Sequence, residues 1–125
     1  MPIYDEPTDQ TSKRRPSYSS WREFAEFVRL VDLFYNESYG LLREHPGCVP
    51  LVKEHKEIID NAYETLKSKY PNAVAGYSPN IDEEMGIYMD PEWPEENGQL
   101  VSMEWLKYWV DYALENCKTP VNYNS

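Results

Sequence analysis

The chain of 125 residues carries 22 acidic and 12 basic side chains, a formal net charge of −10, and 41% of its residues are hydrophobic. This length suits one domain, and the excess of negative charge disfavours direct binding to nucleic acid or to an anionic membrane. No apolar run approaches the roughly 18 residues that a membrane span requires, so a membrane protein is not expected.

The cellular compartment is predicted from the start of the sequence and from its cysteines. The first residues lack the basic start and the apolar stretch of a secretion signal, which predicts a cytoplasmic protein. Cys48 and Cys117 are too few for a disulfide framework, and a reducing compartment favours two free thiols. A disulfide between them is the alternative if the second and last helices place them together.

A polar stretch precedes the first predicted helix. Residues 1–19 are rich in proline, serine and threonine, which predicts a mobile arm. A helix is predicted over 20–45, because Ser20 and Glu23 form a capping box and apolar residues then recur at three- and four-residue steps. Pro46 and the glycine after it end this helix.

Two further helices are predicted from the same periodicity. The second covers residues 50–70, with a buried stripe that includes His55 as a half-buried member of the core. The last covers residues 102–118, with Ser102 as its N-cap. Residues 119–125 are predicted to be a frayed tail.

The predicted fold is all-α, a small antiparallel bundle of three helices formed by residues 20–118 as a single domain. Short connections favour antiparallel neighbours. Residues 71–101 join the second helix to the last, and this acidic, partly irregular connection is long for a compact domain. A loop of that length more often carries function or disorder than serves as a plain link.

Most of the net charge lies between the second and last helices. Residues 70–106 hold eight acidic side chains and no lysine or arginine, so this segment alone carries a charge of −8. A field of this sign steers the protein towards a basic partner. Solubility is the alternative explanation for the same charge.

No residue pattern indicates catalysis or a bound metal. The sequence holds four potential zinc ligands: His45, Cys48, His55 and Cys117. They lack the tight paired spacing of structural zinc sites. A nucleophilic pair of Cys48 and His45 has no third orienting group, and the contiguous acids at 82–84 do not fit a calcium loop. The sequence therefore predicts a non-enzymatic protein with no catalytic residues, no metal and no cofactor.

Carboxylates and aromatic side chains alternate in the acidic segment, as they do in protein-binding surfaces. Aromatic anchors supply short-range binding energy, while the charges steer the encounter. The alternative is that Tyr88 and Trp93 fold back onto the bundle as a lid. The predicted partner-binding residues are Asp82, Glu83, Glu84, Tyr88, Asp90, Glu92, Trp93, Glu95 and Glu96, together with the surface aromatic residues Trp105, Tyr108 and Tyr112.

The order of the segments resembles that of small immunity proteins that block bacteriocin nucleases: two helices, an acidic stretch holding Ile87 and Tyr88, and a tryptophan-bearing helix. The likeness is one of order and charge, and no residue role is carried over. The leading hypothesis is an inhibitor of a basic, nucleic-acid-handling protein, of the immunity or virus-encoded anti-defence type, acting by nucleic-acid mimicry. The alternative is a structural or accessory subunit of a larger protein assembly. Homo-oligomerisation stays open under both hypotheses.

Overall fold

The computed structural model describes residues 3–5, 9–10, 18–44, 47–74 and 94–124. The helices in these ranges are α1 (Tyr18–Phe27), α2 (Val31–Tyr35), α3 (Lys53–Lys69) and α4 (Glu95–Asn116). The strands are β1 (Ile3–Asp5), β2 (Asp9–Gln10), β3 (Gly47–Pro50) and β4 (Pro120–Asn124). The protein is mostly helical, as predicted, and the helices are accompanied by a small sheet that was not predicted.

The four strands form one antiparallel sheet in the order β2-β1-β4-β3. In its register, Tyr4 is opposite Val121 on one side of β4, and Val49 is opposite Asn122 on the other. Two predictions are corrected by this sheet. Part of the expected mobile arm 1–19 is strand, and the expected frayed tail 119–125 contains β4, because both ends of the chain find hydrogen-bonding partners in each other.

The first predicted helix, 20–45, is two shorter helices separated by a turn. Helix α1 begins at Tyr18, so Ser20 lies inside the helix, and the capping box predicted there is wrong. The helix ends where Arg29 adopts a left-handed backbone with φ of 59°, and the amide of Leu30 donates to the carbonyl of Ala25 at 2.7 Å. The chain then becomes helical again at α2.

After α2 the chain folds back on itself. The amides of Leu41 and Leu42 donate to the carbonyls of Leu33 and Phe34 at 2.8 and 2.7 Å. Gly40 sits at the closest approach, where an added Cβ would lie 2.6 Å from backbone atoms of the preceding residues. Only glycine fits this position without a displacement of the main chain.

Helix α3 agrees with the predicted second helix, whereas α4 begins earlier than the predicted last helix. Residues 95–101, assigned by prediction to the connection, are the first two turns of α4. Ser102 is therefore an interior residue and not the N-cap; its hydroxyl donates to the carbonyl of Gly98 at 3.2 Å. At the other end of the predicted second helix, Pro50 belongs to β3 and α3 starts at Lys53.

A hydrophobic core lies between the helices. Phe24 of α1 and Phe34 of α2 meet edge to face, with ring centroids 6.2 Å apart. Each such side chain contributes about 1.5–3 kcal/mol when it is fully removed from water. The largest apolar side chains with little or no exposure are Trp105, Phe24, Phe34, Leu33, Leu41, Ile59, Leu100, Met103 and Leu106.

One imidazole joins the start of α3 to the turn that follows α2. His55, predicted to be half-buried, is only 1% exposed. Its Nδ1 accepts the amide of Val52 at 3.1 Å, and its Nε2 lies 2.6 Å from the carbonyl oxygen of Tyr39. Because Nδ1 accepts, Nε2 carries the proton and donates to Tyr39, and the ring is neutral. Burial accordingly lowers the pKa of His55 below its ordinary value.

Candidate functional site

Most of the predicted binding residues of the acidic segment lie outside the described residues: Asp82, Glu83, Glu84, Tyr88, Asp90, Glu92 and Trp93. Glu95 and Glu96 are described, and they occupy the first turn of α4. Carboxylates are stabilised there by the positive end of the helix dipole. Glu95 and Glu96 therefore stabilise the first turn of α4, and they also contribute two negative charges to the acidic segment.

The three aromatic residues predicted at the surface of the last helix separate into two groups. Tyr108 and Tyr112 are 40% and 39% exposed, which confirms their surface position. Trp105 is 0% exposed and belongs to the core, so its prediction as a surface residue is wrong. Helix α4 contacts α1, α3, β1 and β4. Because these four elements pack around it, more of the helix surface is buried than in a three-helix bundle, and Trp105 lies on the buried part.

Tyr108, Trp109 and Tyr112 form an aromatic cluster on α4. The rings of Tyr108 and Tyr112 are stacked, with centroids 6.3 Å apart and an interplanar angle of 16°. Trp109 meets both edge to face, at 4.9 and 5.6 Å, and packs against the hydrophobic core. The half-buried tryptophan thus holds two exposed tyrosines in a defined orientation.

Four charged residues link α3 to α4, and they are called the salt-bridge quartet below. Lys56 lies 2.9 Å from both Asp60 and Asp111, while Lys107 lies 2.8 Å from Asp60 and 3.2 Å from Asp111. Lys56 on α3 therefore meets Asp111 on α4, and Asp60 meets Lys107. The earlier residue of α3 pairs with the later residue of α4, and the later residue of α3 pairs with the earlier residue of α4. The two helices therefore run antiparallel.

The ion pairs of the quartet shift the pKa values of Lys56, Lys107 and Asp60. The hydrogen bonds to Asp111 and Asp60 raise the pKa of Lys56, and the hydrogen bond to Asp60 does the same for Lys107. Burial raises the pKa of Asp60, but the hydrogen bonds from Lys107 and Lys56 outweigh it, and the net change is a lowered pKa. These three shifts favour the charged forms of Lys56, Lys107 and Asp60.

A groove opens beside the quartet. Its volume is about 290 Å³, and it is lined by Tyr63, Glu104, Lys107, Tyr108 and Asp111. The ammonium of Lys107 lies 5.9 Å from the centroid of the Tyr63 ring. This volume lies at the lower end of the roughly 300–1,000 Å³ that pockets for small molecules usually enclose, so the groove can receive a side chain or a small ligand group. It is called the tyrosine groove below.

The tyrosines and the groove share the outer face of α4. Residues that recur at three- and four-residue steps lie on one side of a helix. On α4 this outer face consists of Glu104, Tyr108, Asp111, Tyr112 and Glu115. Tyr108, Tyr112 and Glu115 are exposed, and Glu104 and Asp111 are half-buried. This outer face alternates carboxylates with aromatic rings, the same combination that the sequence shows in the acidic segment.

Several residues of the tyrosine groove were not predicted as site residues. Glu104, Lys107 and Asp111 complete the groove on α4, and Tyr63 completes it on α3. One signal for them is present in the sequence: a lysine precedes an aspartate by four residues at positions 56 and 60, and again at 107 and 111. The pairing of these two motifs across helices depends on the tertiary structure.

Potential metal ligands and two cysteines are also present among the described residues. No group of three or more histidine, cysteine, aspartate or glutamate side chains within the described ranges is arranged to hold a metal ion. Cys48 and Cys117 are both half-buried and are not joined by a disulfide. Among the helices that the structure describes, none has the length and apolar character needed to cross a membrane.

Comparison of the chain with protein-family models, with curated proteins and with solved structures found no match. The outer face of α4 and the charge distribution are therefore the observations from which a function is inferred.

Proposed function

We propose that the chain is a non-enzymatic binding protein that docks on the basic surface of a nucleic-acid-handling protein and inhibits it. The observation that supports this proposal best is the outer face of α4, where the stacked, exposed rings of Tyr108 and Tyr112 lie among carboxylates. Tyrosine is enriched in protein interfaces, because its ring buries a large area and its hydroxyl forms hydrogen bonds. Carboxylates around such rings select a partner of positive charge.

The charge distribution supports the same proposal. The segment 70–106, with a charge of −8, includes the first half of α4. The acidic sequence thus continues into Glu104 on the outer face of the helix. A partner that normally binds the phosphates of nucleic acid carries the complementary charge, and electrostatic steering would accelerate its association.

The exposed tyrosines lie on a helix that is held firmly in place, which favours binding. The salt-bridge quartet ties α4 to α3, and Trp109, which packs against the core, contacts the rings of both tyrosines. Side chains that are already ordered lose less conformational entropy on association. The exposed aromatic rings are therefore suited to supply binding energy.

The test begins with capture of the partner by the tagged chain from its native host, at low and at high salt. We expect a basic protein that is retained at low salt and lost at high salt. Replacement of Asp82, Glu83 and Glu84 by lysine should then slow association with this partner about tenfold or more and flatten its salt dependence.

The matched control changes the net charge equally at another surface. Glu37, Glu57 and Glu64 are exposed outside the outer face of α4, and their replacement by lysine adds the same six charge units. The proposal predicts a clearly smaller loss of association rate in this control. Equal losses of association rate in the two triple variants would show that net charge alone matters. An unchanged association rate in the variant of residues 82–84 would show that the acidic segment does not steer the partner.

A structural or accessory subunit of a larger assembly is the second candidate. The observation that favours it is the exposure of Tyr108 and Tyr112 together with that of Val74, which is 61% exposed. In this case Tyr108→Ala and Tyr112→Ala should abolish incorporation into the assembly, whereas the lysine replacements in the acidic segment should not. Size-exclusion chromatography of native extracts with light scattering distinguishes the two candidates.

A further inference from the structure

We propose that Asn97 is a site of spontaneous deamidation, and that the fold suppresses the reaction until the first turn of α4 opens. This inference does not rest on the proposed function. Asn97 is followed by Gly98, and these two residues are the one asparagine–glycine pair in the sequence. Glycine has no side chain to shield its own amide nitrogen, so this nitrogen reaches the side chain of a preceding asparagine more readily than that of any other residue does.

The reaction joins the main chain of Gly98 to the side chain of Asn97. The amide nitrogen of Gly98 loses its proton and attacks Cγ of Asn97. A bond forms between these two atoms, the bond from Cγ to Nδ2 breaks, and Nδ2 takes up a proton and leaves as ammonia. Water then opens the five-membered succinimide ring. Attack of water at Cγ gives aspartate, attack at the main-chain carbonyl carbon gives isoaspartate, and either product adds one negative charge at neutral pH.

The folded structure holds this pair in an unreactive geometry. Both residues are helical members of α4. The ring closes only when the Gly98 nitrogen eclipses the Cβ atom of Asn97, which a helical ψ of about −42° does not allow. The side-chain oxygen of Asn97 also accepts the amide of Val74 at 2.8 Å, and this contact orients the side chain towards Val74. Asn97 is only 6% exposed, which restricts the access of water.

The pair lies where the helix opens most easily. Helix ends open more often than helix centres, and glycine is a poor helix former. The N-cap of α4 is Pro94, which has no side-chain group that could accept an amide of the first turn. The reactive pair and the least stable turn of the helix therefore coincide. Opening of this turn and release of the Val74 contact make the reactive geometry accessible.

The two products have different structural effects at the same charge. In isoaspartate the main chain runs through Cγ and contains one additional methylene, so the helical hydrogen-bond pattern cannot continue across it. The acceptor of the Val74 amide is displaced as well. Aspartate keeps the normal main chain and an oxygen that can accept this amide. Isoaspartate formation therefore detaches Val74 from the start of α4, whereas aspartate formation preserves the contact.

The test uses the full chain at neutral pH, folded in buffer and unfolded in guanidinium chloride, with peptide mass spectrometry over time. We expect Asn97 to deamidate faster than every other asparagine of the unfolded chain. In the folded chain its rate should be lower by about tenfold or more. Hydrogen exchange measures the protection of the Gly98 amide in the same protein. The two reductions should agree within about fivefold, because both reactions require the same opening.

Matched controls separate the sequence effect from the effect of the fold. Asn61 is exposed on α3 but is followed by alanine, so it should react more slowly than Asn97 in the unfolded chain. Gly98→Ala should slow the reaction at Asn97 several-fold in guanidinium chloride, where folding of the variant is irrelevant. Asn97→Asp carries the charge of the product on a normal main chain. The Val74 amide should stay protected from exchange in this variant and lose its protection in the purified isoaspartate form.

Each contrary result overturns a defined part of the inference. If Asn97 is no faster than Asn61 in the unfolded chain, it is not a deamidation site. Equal rates in the folded and unfolded chains show that the fold does not suppress the reaction. A reduction that differs from the protection of the Gly98 amide by more than about fivefold rules out control by opening of the turn. These measurements involve no partner, so the proposed function stands or fails separately.

Discussion

The Nε2 atom of His55 lies 2.6 Å from the carbonyl oxygen of Tyr39, so a single buried imidazole joins α3 to the turn after α2. The other ring nitrogen accepts the amide of Val52 at the start of α3. Protonation of the ring would convert this acceptor into a donor that faces an amide hydrogen. The hydrogen bonds of the folded structure therefore require the neutral form of the His55 ring.

Acidification should therefore lower the free energy of unfolding. Burial lowers the pKa of His55 in the folded protein, Arg43 lowers it further, and the Tyr39 hydrogen bond and Glu54 oppose these effects in part. Because the unfolded chain retains a pKa near 6.5, it binds a proton first as the pH falls. The contribution of His55 is fully present above pH 6.5 and is lost between this value and the lower folded pKa. Urea unfolding at a series of pH values measures it.

The titration of the His55 ring is a direct check of that prediction. In an NMR titration its Cε1 proton should report protonation below pH 6.5, and the pH dependence assigned to the ring should be missing in His55→Gln. A ring that titrates at or above 6.5 would contradict the buried, neutral assignment.

The salt-bridge quartet should stabilise the protein more than an isolated surface pair does. A double-mutant cycle on Asp60 and Lys107 should give a coupling energy of about 0.5–1 kcal/mol, because each side chain has two partners and is only about one-third exposed. The control cycle uses Arg22 and Glu26, a 3.4 Å pair whose side chains are 67% and 59% exposed. Its coupling should be about 0.3 kcal/mol or less. Equal coupling in the two cycles would show that the quartet does not act as a network.

Gly40 should not tolerate a side chain. Gly40→Ala places a methyl group 2.6 Å from the backbone of Asn36 and from the carbonyl oxygen of Phe34. Relief requires movement of the main chain next to the core, and we expect a loss of about 2 kcal/mol or more in the free energy of unfolding. Ser38→Ala, an exposed position of the same turn, should change it by about 0.5 kcal/mol at most. Comparable values for both variants in urea unfolding would argue against the tight turn.

Trp105 and Tyr112 should respond differently to truncation although both are aromatic residues of α4. Trp105→Ala removes a fully buried ring and should cost about 3–5 kcal/mol of the free energy of unfolding. Tyr112→Ala should cost about 1 kcal/mol or less, because its ring is 39% exposed. The expected defect of Tyr112→Ala is instead in partner binding. A stable, binding-deficient Trp105→Ala protein would restore the surface role first predicted for this residue.

Helix α3 was predictable because its apolar side chains recur with the period of a helix. The stripe that includes His55, Ile59 and Leu66 is buried in the structure, as its spacing predicted. The start of α4 was not predictable in this way. Asn97 and Gly98 are typical of loops, yet both are buried, and the side-chain oxygen of Asn97 accepts the amide of Val74 at 2.8 Å. This contact between distant residues outweighs local propensity.

The strands were missed for a related reason. Each has five residues or fewer, too short for an alternating pattern to be recognised. Of the outer face of α4, Tyr108 and Tyr112 could be identified from helical spacing. The contribution of Lys107 and Asp111 depends on their meeting Lys56 and Asp60 of α3, which no local pattern determines.

The position of β4 in the sheet has a consequence for biosynthesis. β4 lies between β1 and β3, and Asn122 in this strand is buried and donates to the carbonyl of Leu41 at 2.6 Å. It also follows both strands that it joins in chain order. Neither β1 nor β3 can complete its hydrogen bonds with β4 before β4 has been synthesised, so the sheet closes only once this later segment has emerged from the ribosome.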